Sequence, residues 1–213
     1  RSGDHTSLIE RFQYPRLGPG QMWEACRDKV IAMGGAVMTG MEVSRLRHGS
    51  GRVESVTARD AEGRERTFGA KHFISSMALK DLFDCLDPRP AARPDDAARR
   101  LRYRDFLVVS LIIRRAEMFP DNWIYIHSPK VQVGRIQNFK NWSPALVPDP
   151  ETTCLGLEYF CFQDDEMRRR DDGWLISNAA RELAAIGLLE RTQHAVDGRV
   201  VRMDKTYPMY VGE

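Results

Sequence analysis

The sequence predicts an α+β chain whose later half is an antiparallel or mixed sheet with flanking helices. Two observations carry this. From Leu101 onward four apolar runs, Phe106 to Ile113, Trp123 to His127, Val131 to Phe139 and Cys154 to Phe162, are rich in β-branched and aromatic residues and are joined by short links at Phe119 to Asn122 and Ser128 to Lys130, the pattern of neighbouring antiparallel strands. Before them, residues spaced for a helix give way to short apolar runs broken by glycine turns, the pattern of a helix followed by a small β meander.

Taken in order, residues 1–13 are polar and read as a poorly ordered lead. Gly18-Pro19-Gly20 opens a helix that places Trp23, Cys26, Val30 and Met33 three and four residues apart, and Gly34-Gly35 ends it. Strands are expected at Ala36 to Met38, Val43 to Leu46, Val53 to Ala58 and Lys71 to Ser75, with turns at Gly49 to Gly51 and at Gly63. A short helix around Ala78 to Leu86 leads to a proline-rich connection, Asp87-Pro88-Arg89-Pro90 and Arg93-Pro94-Asp95-Asp96, which reads as an exposed loop or a joint between parts. After the four longer strands a helix is expected with Asp171 or Asp172 as its cap, Leu175, Ala179, Leu183 and Ile186 on one face and Gly187 at its end. A last strand, Val200 to Met203, delivers Tyr207-Pro208-Met209-Tyr210.

Within the run from Val131 to Pro144, period two puts Val133, Arg135, Gln137 and Phe139 on one face and Gly134, Ile136, Asn138 and Lys140 on the other. An arginine inside an apolar strand requires an acidic neighbour, a cleft or a bound anion. A partly exposed face or a structural ion pair is as good an account of Arg135 as a ligand site.

Composition narrows the partners. The chain has 213 residues, 42% of them hydrophobic and 29% charged, with a net charge of +2, so no global field draws it to nucleic acid or an anionic membrane. The cluster Arg99-Arg100-Leu101-Arg102-Tyr103-Arg104 reads as a solvated helix end. There are 26 arginines against six lysines, a bias that suits bidentate contacts to carboxylate or phosphate. Cys26, Cys85, Cys154 and Cys161 form neither a CxxC pair nor a disulfide framework, and no metal site is expected. No apolar run is long enough to span a membrane and no export signal is visible, which with reduced thiols fits a cytoplasmic chain. The first residue is not methionine and the last four follow a strand-like segment directly, so the chain reads as a piece of a longer protein.

Several motifs carry less than they promise. Gly18-Pro19-Gly20-Gln21-Met22-Trp23 has Trp23 where a dinucleotide fingerprint needs its third glycine, and no apolar strand precedes it. The five histidines make no spacing with a serine or cysteine nucleophile, and no catalytic residue is assigned. Asp164-Asp165-Glu166 and Asp171-Asp172 lack the alternation of a calcium loop. Tyr159 and Tyr207 are either core aromatics or phenol donors that, with Arg135 and Trp142, line a cleft for a phosphorylated small molecule.

The order Phe12-x-Tyr14-Pro15-x-x-Gly18-x-Gly20-x-x-Trp23, Val43-x-x-Leu46, Phe73-Ile74-Ser75-Ser76-Met77-Ala78, Asn122-Trp123-Ile124-Tyr125, Arg135-Ile136 with Asn141-Trp142-Ser143-Pro144, Leu157-Glu158 and Tyr207-Pro208 resembles the UDP-galactopyranose mutases, especially the eukaryotic type. More broadly it is similar to the FAD-dependent amine oxidase and protoporphyrinogen oxidase superfamily. The resemblance covers most of the chain and implies the middle of a two-part flavoenzyme. Residues 1–90 would be part of an FAD-binding region of Rossmann type, including the β meander, and residues 91–213 a substrate-binding sheet domain. By the same resemblance Val43, Ser75, Ser76, Tyr14, Gly18 and Gly20 border FAD, while Arg135, Trp142, Tyr159 and Tyr207 hold the substrate, a nucleotide sugar in the mutase version. The fingerprint glycines that would complete the FAD site are absent from this sequence. Trp142 departs from the tyrosine of the eukaryotic mutases, and an indole donates a hydrogen bond but accepts none. Three functions follow: a mutase-like enzyme working at a sugar carbon, an oxidase that takes a hydride from an amine or another reduced carbon, and a noncatalytic ligand-binding module. Apolar surface left bare on a fragment would drive self-association.

Overall fold

The structure, a computed structural model, describes residues 13–209; the polar lead over residues 1–12, Phe12 of the motif series and Tyr210 lie outside them. In chain order the elements are α1 (Pro19–Ala32), β1 (Glu42–Gly49), β2 (Arg52–Arg59), β3 (Glu65–Gly69), α2 (Leu79–Asp84), β4 (Leu86–Asp87), α3 (Ala92–Arg100), β5 (Tyr103–Ile113), β6 (Trp123–Tyr125), β7 (Arg135–Asn138), α4 (Phe139–Trp142), β8 (Thr153–Cys161), α5 (Glu166–Arg169), α6 (Asp172–Ala185) and β9 (Ala195–Pro208). Two compact units interleave: residues 13–34 with Asp105–Asp204, and Gly35–Arg104 with the residues from Lys205 on. The chain therefore does not divide into successive units at residue 90.

The second of these units carries a four-stranded sheet in the order β3-β2-β1-β4. Ser50 and Gly51, both with positive φ, make the tight turn between β1 and β2, a geometry whose twist matches that of a hairpin. At the next turn the Asp60 carboxylate accepts the backbone N–H groups of Glu62 and Arg64 at 3.1 and 2.8 Å. That cap closes the turn early, and pairing resumes at once with Arg59 opposite Glu65. The third strand of the meander is thus Glu65–Gly69, not the expected run from Lys71 to Ser75, which is an extended loop with Ile74 fully exposed. Ala36 to Met38, expected as a strand, pairs with none of the described strands. The proline-rich connection holds a helix, α3, because Pro94 falls in its first turn, where no intrahelical N–H is needed.

The other unit is built on a five-stranded sheet in the order β6-β7-β8-β5-β9, with β6, β7, β8 and β5 pairing antiparallel, as the run of long strands predicts. One face is the core. Leu107, Val109, Leu111 and Ile113 of β5 alternate inward beside Leu155, Leu157, Tyr159 and Cys161 of β8, all buried, and α6 lays Leu175, Ala179, Ala180 and Leu183 against them. Each large aliphatic side chain buried this way contributes about 1.5–3 kcal/mol. Asp171 caps α6 by accepting the Trp174 N–H at 2.9 Å, and Gly187, with φ +79°, takes the left-handed turn after it.

Strand β7 is shorter than the sequence predicts. Residues 131–133 leave the ladder because Glu182, on the core face of α6, accepts the backbone N–H groups of Gln132 and Val133 at 2.8 and 3.2 Å and the Tyr159 hydroxyl at 2.9 Å. At the other end Phe139 starts the single turn α4. Helix α1 forms in the predicted stretch, ending at Ala32, but buries none of its residues, leaving Met22, Trp23 and Ile31, with Met33 just after it, exposed. Among the described residues no helix is long and apolar enough to cross a membrane.

The cysteines are free and differ in exposure: Cys26 is exposed, Cys85 and Cys154 are half-buried and Cys161 is buried. Burial pushes the Cys154 thiol up to about 11 and raises that of Cys161. At about pH 8 a thiol-reactive disulfide is expected to label Cys26 quickly in the native protein, and Cys154 and Cys161 only after denaturation, because the thiolate is the reactive form. The unfolded thiol of Cys154 ionises first as pH rises, so native stability falls between about pH 9 and pH 11. Native labelling of Cys154 as fast as Cys26 would contradict this packing.

Candidate functional site

The face of the five-stranded sheet turned away from α6 holds the polar side chains that the core excludes. Cross-strand register lines up Tyr125, Arg135, Glu158 and Val108 in one row and Trp123, Gln137, Gly156 and Ser110 in the next. Glu158 is only 2% exposed. Its carboxylate accepts from Arg135 Nε through one oxygen and from Gln137 Nε2 through the other. The Arg135 guanidinium reaches the Tyr125 hydroxyl at 3.5 Å and lies over that ring, 5.8 Å from its centroid. Glu158 holds Arg135 above its ordinary basicity, against the opposing effect of partial burial.

Aromatic rings frame this polar set. A Cβ on Gly156 would stand 2.7 Å from the Phe139 ring and one on Gly134 2.9 Å from the Phe160 ring, so both glycines exist to admit a ring onto the sheet. Trp142 stacks on Trp123, with centroids 5.2 Å apart and planes 11° from parallel, and meets Tyr14 at 4.9 Å. Burial raises the Tyr14 phenol above its usual range. Turn α4 is pinned from outside: Lys140 Nζ donates to the carbonyls of Ala116, Pro150 and Thr152 at 2.8, 2.6 and 2.9 Å, and Asn141 donates to those of Phe119 and Asp121. The Ser143 hydroxyl donates to the Arg16 carbonyl at 2.7 Å, which ties the segment bearing Tyr14 to α4. A cavity of about 490 Å³ lies beside Met118, Phe119, Asn138 and Lys140. The ammonium there has spent its three donors on loop carbonyls, so the hollow is part of the scaffold.

Of the residues predicted from sequence, Arg135, Trp142 and Tyr14 come together on this face. Tyr159 does not. It sits on the core face, 2% exposed, donating to Glu182, and burial first, then that carboxylate, raises its phenol far above the ordinary range. Tyr207 is half-exposed near the end of β9 and belongs to the other unit. In that unit the Val43 carbonyl accepts from the Cys85 thiol at 3.4 Å, and Ser75 and Ser76 lie on the exposed loop after β3, with the Ser75 hydroxyl accepting from the Met77 N–H. Gly18, φ +84°, makes the turn before α1, and beside Gly20 there is open space where a Cβ would stand. Sequence reasoning missed Glu158, Gln137, Trp123 and Tyr125 as parts of one site. The signal was a lone acid inside the apolar run Cys154 to Phe162, the counterpart that Arg135 required.

No family model matches the chain, and no curated protein matches it by sequence. Solved structures do match its fold. Reduced UDP-galactopyranose mutase aligns over 92% of this chain and 41% of its own, with a TM-score of 0.73 at 18% identity. A protein from Exiguobacterium sp. 255-15 assigned as a protoporphyrinogen oxidase aligns over 80% of this chain and 35% of its own, with a TM-score of 0.58 at 14% identity. A putrescine oxidase variant with redesigned cofactor binding aligns over 84% and 38%, with a TM-score of 0.59 at 12% identity. At these identities the likeness establishes the fold, the one common to the mutase and amine oxidase superfamily that the motifs resemble. The chain spans about two fifths of the length of these structures.

Replacing Arg135 by Ala leaves the Glu158 carboxylate buried with Gln137 as its remaining side-chain donor. The expected loss is about 2 kcal/mol of unfolding free energy near neutral pH, less than for a fully buried pair because water reaches one side of the guanidinium. Urea titrations of the two proteins near neutral pH check this; an unchanged unfolding free energy would mean that the ion pair does not support the sheet.

Proposed function

We propose that this chain is the substrate-binding sheet, with part of the FAD-binding region, of a flavoenzyme. The observation that carries the reading is the open sheet face, where an arginine and a glutamine held by one buried carboxylate, with a phenol against the arginine, sit in an aromatic frame, on a fold shared with a mutase and an amine oxidase. Such a face binds and orients a small molecule: Arg135 and Tyr125 offer donors, and Trp123, Trp142 and Tyr14 exclude water from one side. Tyr159 supports this face from behind and does not touch the substrate.

Residues that fit FAD occur in each of the two units. Open space at Gly20, the exposed Ser75 and Ser76 and the half-buried Val43 suit a cofactor edge; a phosphate-binding glycine turn is not found among the described residues. FAD, when bound, supplies the redox or covalent chemistry. The chain's own part is to place the reacting carbon and to keep its charge balanced.

The finer version is a nucleotide sugar as substrate, with Arg135 toward the diphosphate. It is supported by the motif order and by a fold match to the mutase that covers most of this chain. A second version, oxidation of a neutral or cationic molecule, is favoured by one feature: Glu158 already neutralises Arg135, so the face carries no net charge for a diphosphate. The purified full-length protein is expected to show flavin absorbance that UDP or a UDP-hexose perturbs, with the response lost in Arg135→Ala. A flavin spectrum indifferent to both nucleotides leaves the oxidase version. No flavin after reconstitution with FAD leaves a ligand-binding module.

The bare apolar side chains of α1 also support self-association of this chain when produced alone. Sedimentation at two concentrations is expected to show a mass that rises with concentration, reduced by Trp23→Lys; a constant monomer mass rules it out.

A further inference from the structure

Glu158 does more than neutralise Arg135. A carboxylate only accepts, so the side of the Gln137 amide that meets it must be Nε2. The Gln137 carbonyl oxygen is therefore turned away from Glu158, and among the described residues it accepts no hydrogen bond and is not sealed from solvent. Arg135 likewise spends Nε on Glu158 and brings Nη1 to the Tyr125 hydroxyl, while its Nη2 donates to none of the described residues and is also open. The two head groups converge on one carboxylate from positions two residues apart on one strand. Each thus leaves a group open beside that carboxylate, a donor on Arg135 and an acceptor on Gln137, and the ion pair leaves the floor without net charge.

Trp123 stands directly across from Gln137. One of its faces stacks on Trp142, and it is still 41% exposed, which leaves indole surface beside the donor–acceptor pair. We propose that the Arg135–Gln137 edge reads the lactam edge of a planar heterocycle, its C=O taking the guanidinium N–H and its N–H donating to Gln137 Oε1, with the ring against Trp123. This deepens the substrate-site reading of the same face and rests on it only for placing a ligand there. A carboxylate or phosphate at the same point would satisfy Arg135 but set its own oxygen lone pairs against those of Gln137 Oε1, since it has no N–H to donate there. The arrangement selects a ring with adjacent donor and acceptor over an anion of the same size.

Calorimetric titration of the full-length natural protein with 2-quinolone, N-methyl-2-quinolone and 2-naphthoate separates these cases. N-methylation removes the one N–H and keeps the ring and the carbonyl. The expected result is that 2-quinolone binds about tenfold more tightly than its N-methyl derivative, the effect of one hydrogen bond left unmade at a desolvated acceptor, and more tightly than 2-naphthoate. Gln137→Leu is expected to abolish the discrimination between 2-quinolone and its N-methyl derivative. Equal binding of the two quinolones by the unsubstituted protein, no binding of 2-quinolone, or tighter binding of 2-naphthoate overturns the proposal without any need for the variant to fold. Flavin absorbance of the same sample separates the two readings: discrimination without flavin overturns the flavoenzyme and keeps the lactam edge, and flavin without discrimination does the reverse.

Discussion

A carboxylate sealed in the central strand of a sheet is stable only where its charge and its lone pairs are both answered. Glu158 meets that condition through Arg135 and Gln137, which reach it from the neighbouring strand. Much of the local structure follows from this constraint. The register of β7 on β8 must put Arg135 opposite Glu158, since a slip of β7 by one residue would turn Arg135 and Gln137 into the apolar core on the other face and leave Glu158 without its partners. Register then fixes which residues share the open face, so Trp123, Tyr125 and Gln137 are brought to the site by the same pairing.

The opposite face carries a second buried acid that completes the arrangement. Tyr159, next to Glu158 in sequence, points the other way and donates to Glu182, and Glu182 also holds the backbone just before β7. A path of hydrogen bonds thus runs from β8 through the core to α6, back to the start of β7, along that strand to Arg135, and across to β8 at Glu158. Arg135 is located from both ends, and turn α4, tied down by Lys140 and Asn141, fixes the strand's exit. The site is therefore built on rigid elements whose own side chains are already spent, the condition for holding a ligand without reordering.

The parts of this fold that can be read from sequence are those with a local cause. Leu107 to Ile113 and Leu155 to Cys161 announce strands because alternation and β-branching act within a few residues, and α6 announces itself through its cap, its apolar stripe and Gly187. Arg135 was legible as a residue in need of an acid, but the partner was not, because strand register is a long-range property. Without register the parity of Tyr159 could not be told from that of Glu158, and the phenol was placed in the cleft in place of the carboxylate. β3 was missed because it is a polar edge strand. Phe139 reads as the last residue of a strand, not the first of a turn, because Lys140 and Asn141, which pin that turn, bond to distant carbonyls. In α1 the spacing promised an apolar stripe, and the stripe is there, but none of the described residues covers it.

The neutrality of the open face decides what kind of work it can do. A lone arginine in a half-buried cleft attracts any anion, and selectivity must then come from elsewhere. Once its charge is cancelled by Glu158, the guanidinium contributes direction in place of net attraction, through donors whose orientation is fixed by the bond at Nε. The glutamine beside it gains the same property, because the carboxylate decides which end of the amide faces outward. A buried acid thereby turns two flexible polar side chains into an oriented pair, at the cost of an ion pair whose net contribution to stability is small. The stability that this leaves unclaimed comes from the aliphatic face packed on α6. Recognition and stability thus occupy opposite faces of one sheet, which leaves the open face free to differ among proteins that share the core.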